Sequence, residues 1–172
     1  VEPQSETVWR QADRYHVPRI AYVNKLDRPG ASVDHTESMI RERLRAHPVV
    51  TQMPIGREEN LSGVIDLVRM RAFGADEESE AKIIPIPAHL KEEATERRER
   101  MIAALADLDD DIALMYIEGE EVSAEVFEEA LRRATLTGRA IPVLCGSSLK
   151  NVGVVPLLDA VSAYLPSPLD VP

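Results

Sequence analysis

The sequence predicts an α/β fold: a short run of parallel strands with covering helices, interrupted by an inserted α+β subdomain. Three observations carry this reading. Two apolar runs, residues 19–23 and 141–145, are short and pass straight into polar or small-residue loops, the signature of strands buried on both faces. Between them, over residues 49–86, the pattern changes to closely spaced β-branched segments separated by tight turns, which predicts a small antiparallel or mixed sheet. The charge shifts in the same region: residues 58–130 hold 7 basic and 21 acidic side chains, a balance of −14 in a chain of net charge −10. The expected division is therefore 1–47 and 138–172 as two parts of one α/β unit, with 48–137 as an acidic insertion.

The elements follow in order. Residues 3–16 predict a helix, with Pro3 in its first turn and Glu2 and Glu6 at the positive end of its dipole. Val8, Ala12 and Tyr15, with Trp9 beside them, form its expected inner face. His16-Val17-Pro18 ends it, because the residue before a proline avoids the α region. The strand at 19–23 runs into Asn24-Lys25-Leu26-Asp27, closed by Arg28-Pro29-Gly30. Residues 34–46 predict a second helix, with Ser32 or Asp34 as N-cap and Met39, Ile40 and Leu44 facing inward. Strand segments are expected within 49–55, 61–68, 70–73 and 82–86. Residues 74–80, with four acids, read as an exposed hairpin tip. Helices follow at 88–105, 109–117 and 123–136, the last with Ser123 as N-cap, Val126, Phe127, Ala130, Leu131 and Ala134 inward, and Gly138 after its last turn. After the strand at 141–145, Pro156 lies in the first turn of a last helix with Leu157, Leu158, Val161, Tyr164 and Leu165 inward. Pro166 and Pro168 end it.

Composition narrows the function. The 172 residues are 44% hydrophobic and 29% charged, ordinary for a globular protein. Aromatics are only 4%, so the core is aliphatic. A net charge of −10 argues against a general nucleic-acid coat or a binder of anionic membranes. The single cysteine, Cys145, excludes an intrachain disulfide and reads as core packing. No apolar run approaches the roughly 20 residues that span a bilayer, and there is no signal peptide. A cytoplasmic protein without membrane contact is expected. The chain opens on a helix at Val1 without an initiator Met, from which further strands upstream are expected.

Two loops carry the chemistry. In Asn24-Lys25-Leu26-Asp27 the Asp carboxylate is acceptor-only with two oxygens. It can take both the ring N–H and the exocyclic amino N–H of guanine, a pairing adenine does not offer. The Asn24 amide can serve the other base edge and tie neighbouring loops, and the Lys25 stem can lie along a flat base. A turn that merely ends a strand uses the same residue types. Gly146-Ser147-Ser148-Leu149 has the same position after its own strand. Its small residues leave backbone N–H groups for a ligand carbonyl such as guanine O6, and Leu149 can cover the base. A Gly-Ser turn without a ligand is the competing reading.

With these motifs in view, the chain resembles the translational GTPase family, in its elongation factor G branch. Residues 1–12 resemble the segment entering the third helix of that family's G domain. Asn24-Lys25-Leu26-Asp27-Arg28 resembles its fourth nucleotide motif and residues 145–154 its fifth. Residues 55–60 and 63–67 resemble its inserted G′ subdomain. The fifth motif usually carries Ser-Ala; here it is Ser147-Ser148. The resemblance implies part of a P-loop GTPase-type sheet, the last strands and helices only. It implies that Asp27 fixes the guanine N1 and N2 hydrogens, that Asn24 contacts the base edge and braces the fifth motif, and that Lys25 stacks on the base. Ser147, Ser148 and Leu149 would close the other side, with the Ser148 N–H on O6. It further implies GTP or GDP as ligand, the ribosome as partner, tRNA and mRNA as indirect partners, and the ribosomal stalk protein as the partner of the acidic insertion.

No Gly-x-x-x-x-Gly-Lys-Ser/Thr occurs in the sequence, and phosphates need that loop. His16, His35, His47 and His89 stand in unrelated contexts, so no catalytic and no metal-binding residue is expected here. Nucleotide binding by this piece alone should be weak or absent, it should not hydrolyse GTP, and Mg²⁺ should belong to the full-length protein. Two alternatives compete: a release factor 3 or ribosome-protection GTPase, and an acidic binding module with no nucleotide role. An unpaired sheet edge beside the first strand predicts self-association.

Overall fold

The computed structural model describes residues 1–74 and 81–170. The expected hairpin tip at 74–80 lies almost wholly outside them. The chain runs α1 (Pro3–Arg14), β1 (Ala21–Val23), α2 (Val33–Arg43), β2 (Pro48–Val50), β3 (Gln52–Ile55), β4 (Gly63–Asp66), β5 (Arg71–Gly74), β6 (Lys82–Ile84), α3 (Lys91–Ala106), α4 (Asp110–Glu118), α5 (Ala124–Leu136), β7 (Ile141–Cys145) and α6 (Val154–Tyr164). It is the mixed α/β architecture expected, with one parallel and one antiparallel sheet. The parallel sheet has the order β1-β7-β2, and the antiparallel sheet β3-β4-β5-β6. All five residues of the central strand β7 are buried.

Helix ends follow local chemistry. The Ser32 hydroxyl accepts from the His35 N–H, so Ser32 and not Asp34 caps α2. Asp109 and Ser123 cap α4 and α5 in the same way, on the Ile112 and Val126 N–H groups. Gly119, in the left-handed region, ends α4.

Residues 49–55, which read as one apolar stretch, are divided between the two sheets. Val50 pairs with Val143 in the parallel sheet, whereas Gln52 pairs with Asp66 in the antiparallel one. Thr51 is the crossing point. Its N–H and hydroxyl both donate to the Val143 carbonyl, at 3.0 and 3.2 Å, and its own carbonyl accepts from the Leu67 N–H at 2.9 Å. Beside it, the buried Gln52 Oε1 accepts the Cys145 N–H at 3.0 Å. Every polar group at the crossing that these bonds involve is satisfied, which lets the crossing lie inside the protein.

Two apolar clusters result. The larger joins the antiparallel sheet to α3–α6 through Ile65, Leu67, Leu105, Phe127 and Leu131. The smaller lies under the loops that follow β1 and β7, where Val23, Leu26, Val143, Cys145 and Val152 meet Leu61, Val64 and Phe73 of the antiparallel side. Arg98 ties helices to sheet: its guanidinium donates to the Leu67 and Val68 carbonyls, both at 2.6 Å, and to the Val122 carbonyl at 2.8 Å. Arg97 makes two bonds to the Asp34 carboxylate, at 2.8 and 3.1 Å, joining α3 to the start of α2.

Helical faces differ from expectation in three places. On α5 Val126, expected inward, is 39% exposed at the start of the helix. On α6 the buried residues are Pro156, Ala160 and Tyr164, while Leu158 is 61% exposed. This helix is apolar nearly all round, so its sequence did not select a face; the small Ala160 and Pro156 admit a neighbouring helix. On α1 no residue is buried. Val8 is 64% and Tyr15 70% exposed, and Val8, Trp9, Ala12 and Ile20 line an open groove of about 460 Å³.

Candidate functional site: two loops at one end of the parallel sheet

β1 and β7 end level, Val23 beside Cys145, so the loops that follow leave the sheet side by side. The ladder outlasts the strands. Gly146 N–H donates to the Val23 carbonyl at 3.0 Å, and Leu26 N–H to the Gly146 carbonyl at 3.1 Å. Gly146 has to be glycine, since a Cβ there would overlap the Val152 carbonyl oxygen and crowd the Tyr22 hydroxyl. That hydroxyl donates to the same carbonyl at 3.0 Å, and burial pushes its pKa up to about 12. Ser147 and Val152 exchange two backbone bonds, each 2.9 Å, closing the second loop.

Asn24 bridges the pair. Its Oδ1 accepts the Lys25 N–H at 2.8 Å, the Ser148 N–H at 3.0 Å and the Ser148 hydroxyl at 3.1 Å. Asn24 thus ties the first loop to the second. The Ser148 N–H is held by Asn24. Lys25 sits at φ +60°, a conformation non-glycine residues rarely adopt, and the Asn24 bond to its N–H supports it locally.

Asp27 Oδ1 is shielded from solvent and has no hydrogen-bond partner. A buried acceptor in that state is costly. The Ser147 hydroxyl, aided by the Lys150 and Arg28 cations, holds the carboxyl below its usual range, so the group is an anion at neutral pH. Lys25, Ser148 and Leu149 are exposed, Leu149 at 80%. The arrangement is an open shelf that offers an anionic acceptor, a side-chain amide and two aliphatic surfaces. It suits a flat heterocycle with adjacent N–H donors.

All six sequence-predicted residues fall on these two loops. Sequence reasoning missed Tyr22, Lys150 and the turn at Glu58–Asn60, which touches both loops; the compact Gly56-Arg57-Glu58-Glu59-Asn60 was the available signal. Among the described residues no cluster of three or more His, Cys, Asp or Glu could hold a metal ion, and no helix is long and apolar enough to cross a membrane.

Paired loops beyond the ends of parallel strands define a nucleotide-binding type of α/β domain. Residues 1–167 match the model of one such family, the Elongation factor Tu GTP binding domain, and the chain belongs to it. Within it, the chain is 51% identical over its whole length to proteins named elongation factor G from Thermotoga maritima, Fervidobacterium nodosum and Thermotoga petrophila. A crystal structure from Thermus thermophilus superposes with a TM-score of 0.84 at 28% identity, over 99% of this chain and 25% of that one. The chain spans 25% of the length of those curated relatives. The branch indicated by these names is the one the motifs resemble.

Proposed function

We propose that this chain carries the guanine-recognition half of the GTP-binding domain of an elongation factor G. In the full-length protein that domain binds GTP and GDP with Mg²⁺, hydrolyses GTP on the ribosome and drives translocation of tRNA and mRNA in the cytoplasm. Asp27 takes the guanine N1 and N2 hydrogens, Asn24 reads the base edge and braces the second loop, and Lys25 lies along the base. Ser147, Ser148 and Leu149 close the far side. For the Ser148 N–H to serve guanine O6, it exchanges its bond to Asn24 for one to the base. The residues here supply no phosphate loop and no catalytic group, so this segment alone binds weakly and is inactive. Residues 48–137 form the inserted unit, with Pro48–Val50 as its stem in the parallel sheet. Its acidic surface meets the ribosomal stalk protein, and the open edge of β1 favours self-association of the isolated segment.

The observation that carries this reading is the buried, unpartnered Asp27 Oδ1 beside the Asn24–Ser148 bridge. The test is nucleotide affinity in the full-length protein. Asp27→Ala weakens guanosine nucleotides about tenfold to a hundredfold, the scale of a charged hydrogen bond. It weakens inosine nucleotides less, because they lack the N2 amino group. Equal loss for both bases, or none for either, contradicts the assignment.

A further inference from the structure

The turn between β3 and β4 sits against both base-reading loops and belongs to neither. Glu58 N–H donates to the Leu26 carbonyl at 3.2 Å. Lys150 Nζ donates to the Glu59 carbonyl at 3.0 Å. Leu26 N–H holds the Gly146 carbonyl in turn. Three segments distant in sequence therefore close a ring: first loop to second loop, second loop to turn, turn back to first loop.

The turn is built to hold its shape. Asn60 N–H donates to the Arg57 carbonyl at 2.9 Å, Leu61 N–H to the Glu58 carbonyl at 3.1 Å, and Ser62 N–H to the Ile55 carbonyl at 2.9 Å. Gly56 lies at φ +80°, and a Cβ there would overlap the Asn60 carbonyl. Glu58 lies at φ +51°. A side chain kept in the left-handed region persists only where its surroundings over-determine it. The first loop is also seated on the insertion through its side chain: Leu26 is 4% exposed and packs in the cluster that contains Leu61, Val64 and Phe73.

We propose that Lys150 and the turn at 57–60 are positioning elements that set how long the two loops retain a guanine nucleotide, so that the inserted sheet controls release. Neither touches the base in this proposal. Lys150 fixes the second loop at the end away from Asn24, and the turn fixes both loops to the antiparallel sheet. The Ser147–Val152 pair anchors the root of the second loop; without the Lys150 strut, the tie from its tip to the first loop is the Asn24 bridge, which is the contact the base itself must rearrange. The inference rests on the guanine-reading assignment above.

The experiment is displacement of a fluorescent GDP by excess GDP in the full-length protein, followed by stopped flow. Lys150→Met keeps the aliphatic stem and removes the donor. It is expected to speed dissociation about three- to tenfold, the factor of roughly one hydrogen bond, with association unchanged. Lys150→Arg, which can still donate to the Glu59 carbonyl, restores slow release. Gly56→Ala perturbs the turn without touching either loop and speeds release in the same direction; if it does not fold, the lysine pair decides. Amide exchange at 24–27 and 146–152 rises in both fast variants. Unchanged dissociation in Lys150→Met, alongside loss of binding in Asp27→Ala, overturns the positioning role and leaves base recognition standing. Unchanged binding in Asp27→Ala removes the base assignment, and this inference with it.

Discussion

Helices α1 and α5 have comparable amphipathic patterns and opposite fates. On α5 the apolar stripe is covered, with Phe127, Ala130, Leu131, Ala134 and Thr135 all buried. On α1 nothing is buried. The helix is fastened by Trp9, partly buried against the smaller cluster, and by Arg19, whose guanidinium lies 4.6 Å from the Trp9 ring and donates to the Trp9 carbonyl at 3.1 Å and the Asp13 carboxylate at 2.6 Å. Periodicity tells which face of a helix is apolar. Whether that face is covered depends on what the fold places opposite it.

The contrast can be broken by mutation. Phe127→Ala is expected to cost about 3–5 kcal/mol in denaturant unfolding, the range for deleting a buried aromatic, whereas Val8→Ala should stay within about 0.5 kcal/mol. Similar losses at the two sites would mean that α1 is packed after all. Next in size is Arg98→Met, expected to cost about 2–3 kcal/mol because three carbonyls on the covered side lose their donor. A loss under about 0.5 kcal/mol would show that water replaces it.

The loop end of the parallel sheet adds two titrations. Burial raises Cys145 and Tyr22 to about 12. A folded pKa above the unfolded one means that stability is complete below the unfolded value and declines as pH rises through the folded value. The melting temperature should therefore fall between about pH 9 and 12, and Cys145→Ala should flatten the first part of that fall. At the other extreme, the Arg97 guanidinium holds Asp34 below its ordinary range. That contribution is present above about pH 4 and lost as pH falls through the depressed value. The Asp34 side chain is 59% exposed, so Asp34→Asn should cost under about 1 kcal/mol at neutral pH.

What the sequence disclosed follows the range of each signal. Ser32, Ser123 and Pro156 act within one turn of themselves, and the helices they mark were legible to within a few residues. That the six candidate residues sit on two loops directly after strands was legible because each pair of strand and loop is local. That Asn24 could tie neighbouring loops was legible from its amide, but Ser148 as its partner was not legible from local pattern, since 124 residues separate the two. The crossing at Thr51 was not, because both of its sheets favour the same β-branched residues. The strut from Lys150 to Glu59 was not, because a surface lysine donating to a backbone carbonyl leaves no pattern. Arg98 was hidden for the same reason.

The central place of β7 has a consequence for biogenesis. Its two parallel neighbours are β1 and β2, both translated long before it. Until Ile141–Cys145 leaves the exit tunnel, neither early strand has β7 beside it, and Asn24 waits for Ser148. The antiparallel hairpins and α3–α5, with contacts close in sequence, can form first. During synthesis the antiparallel sheet with α3–α5 is therefore a nascent scaffold, and the paired-loop shelf is assembled on it only when β7 threads in.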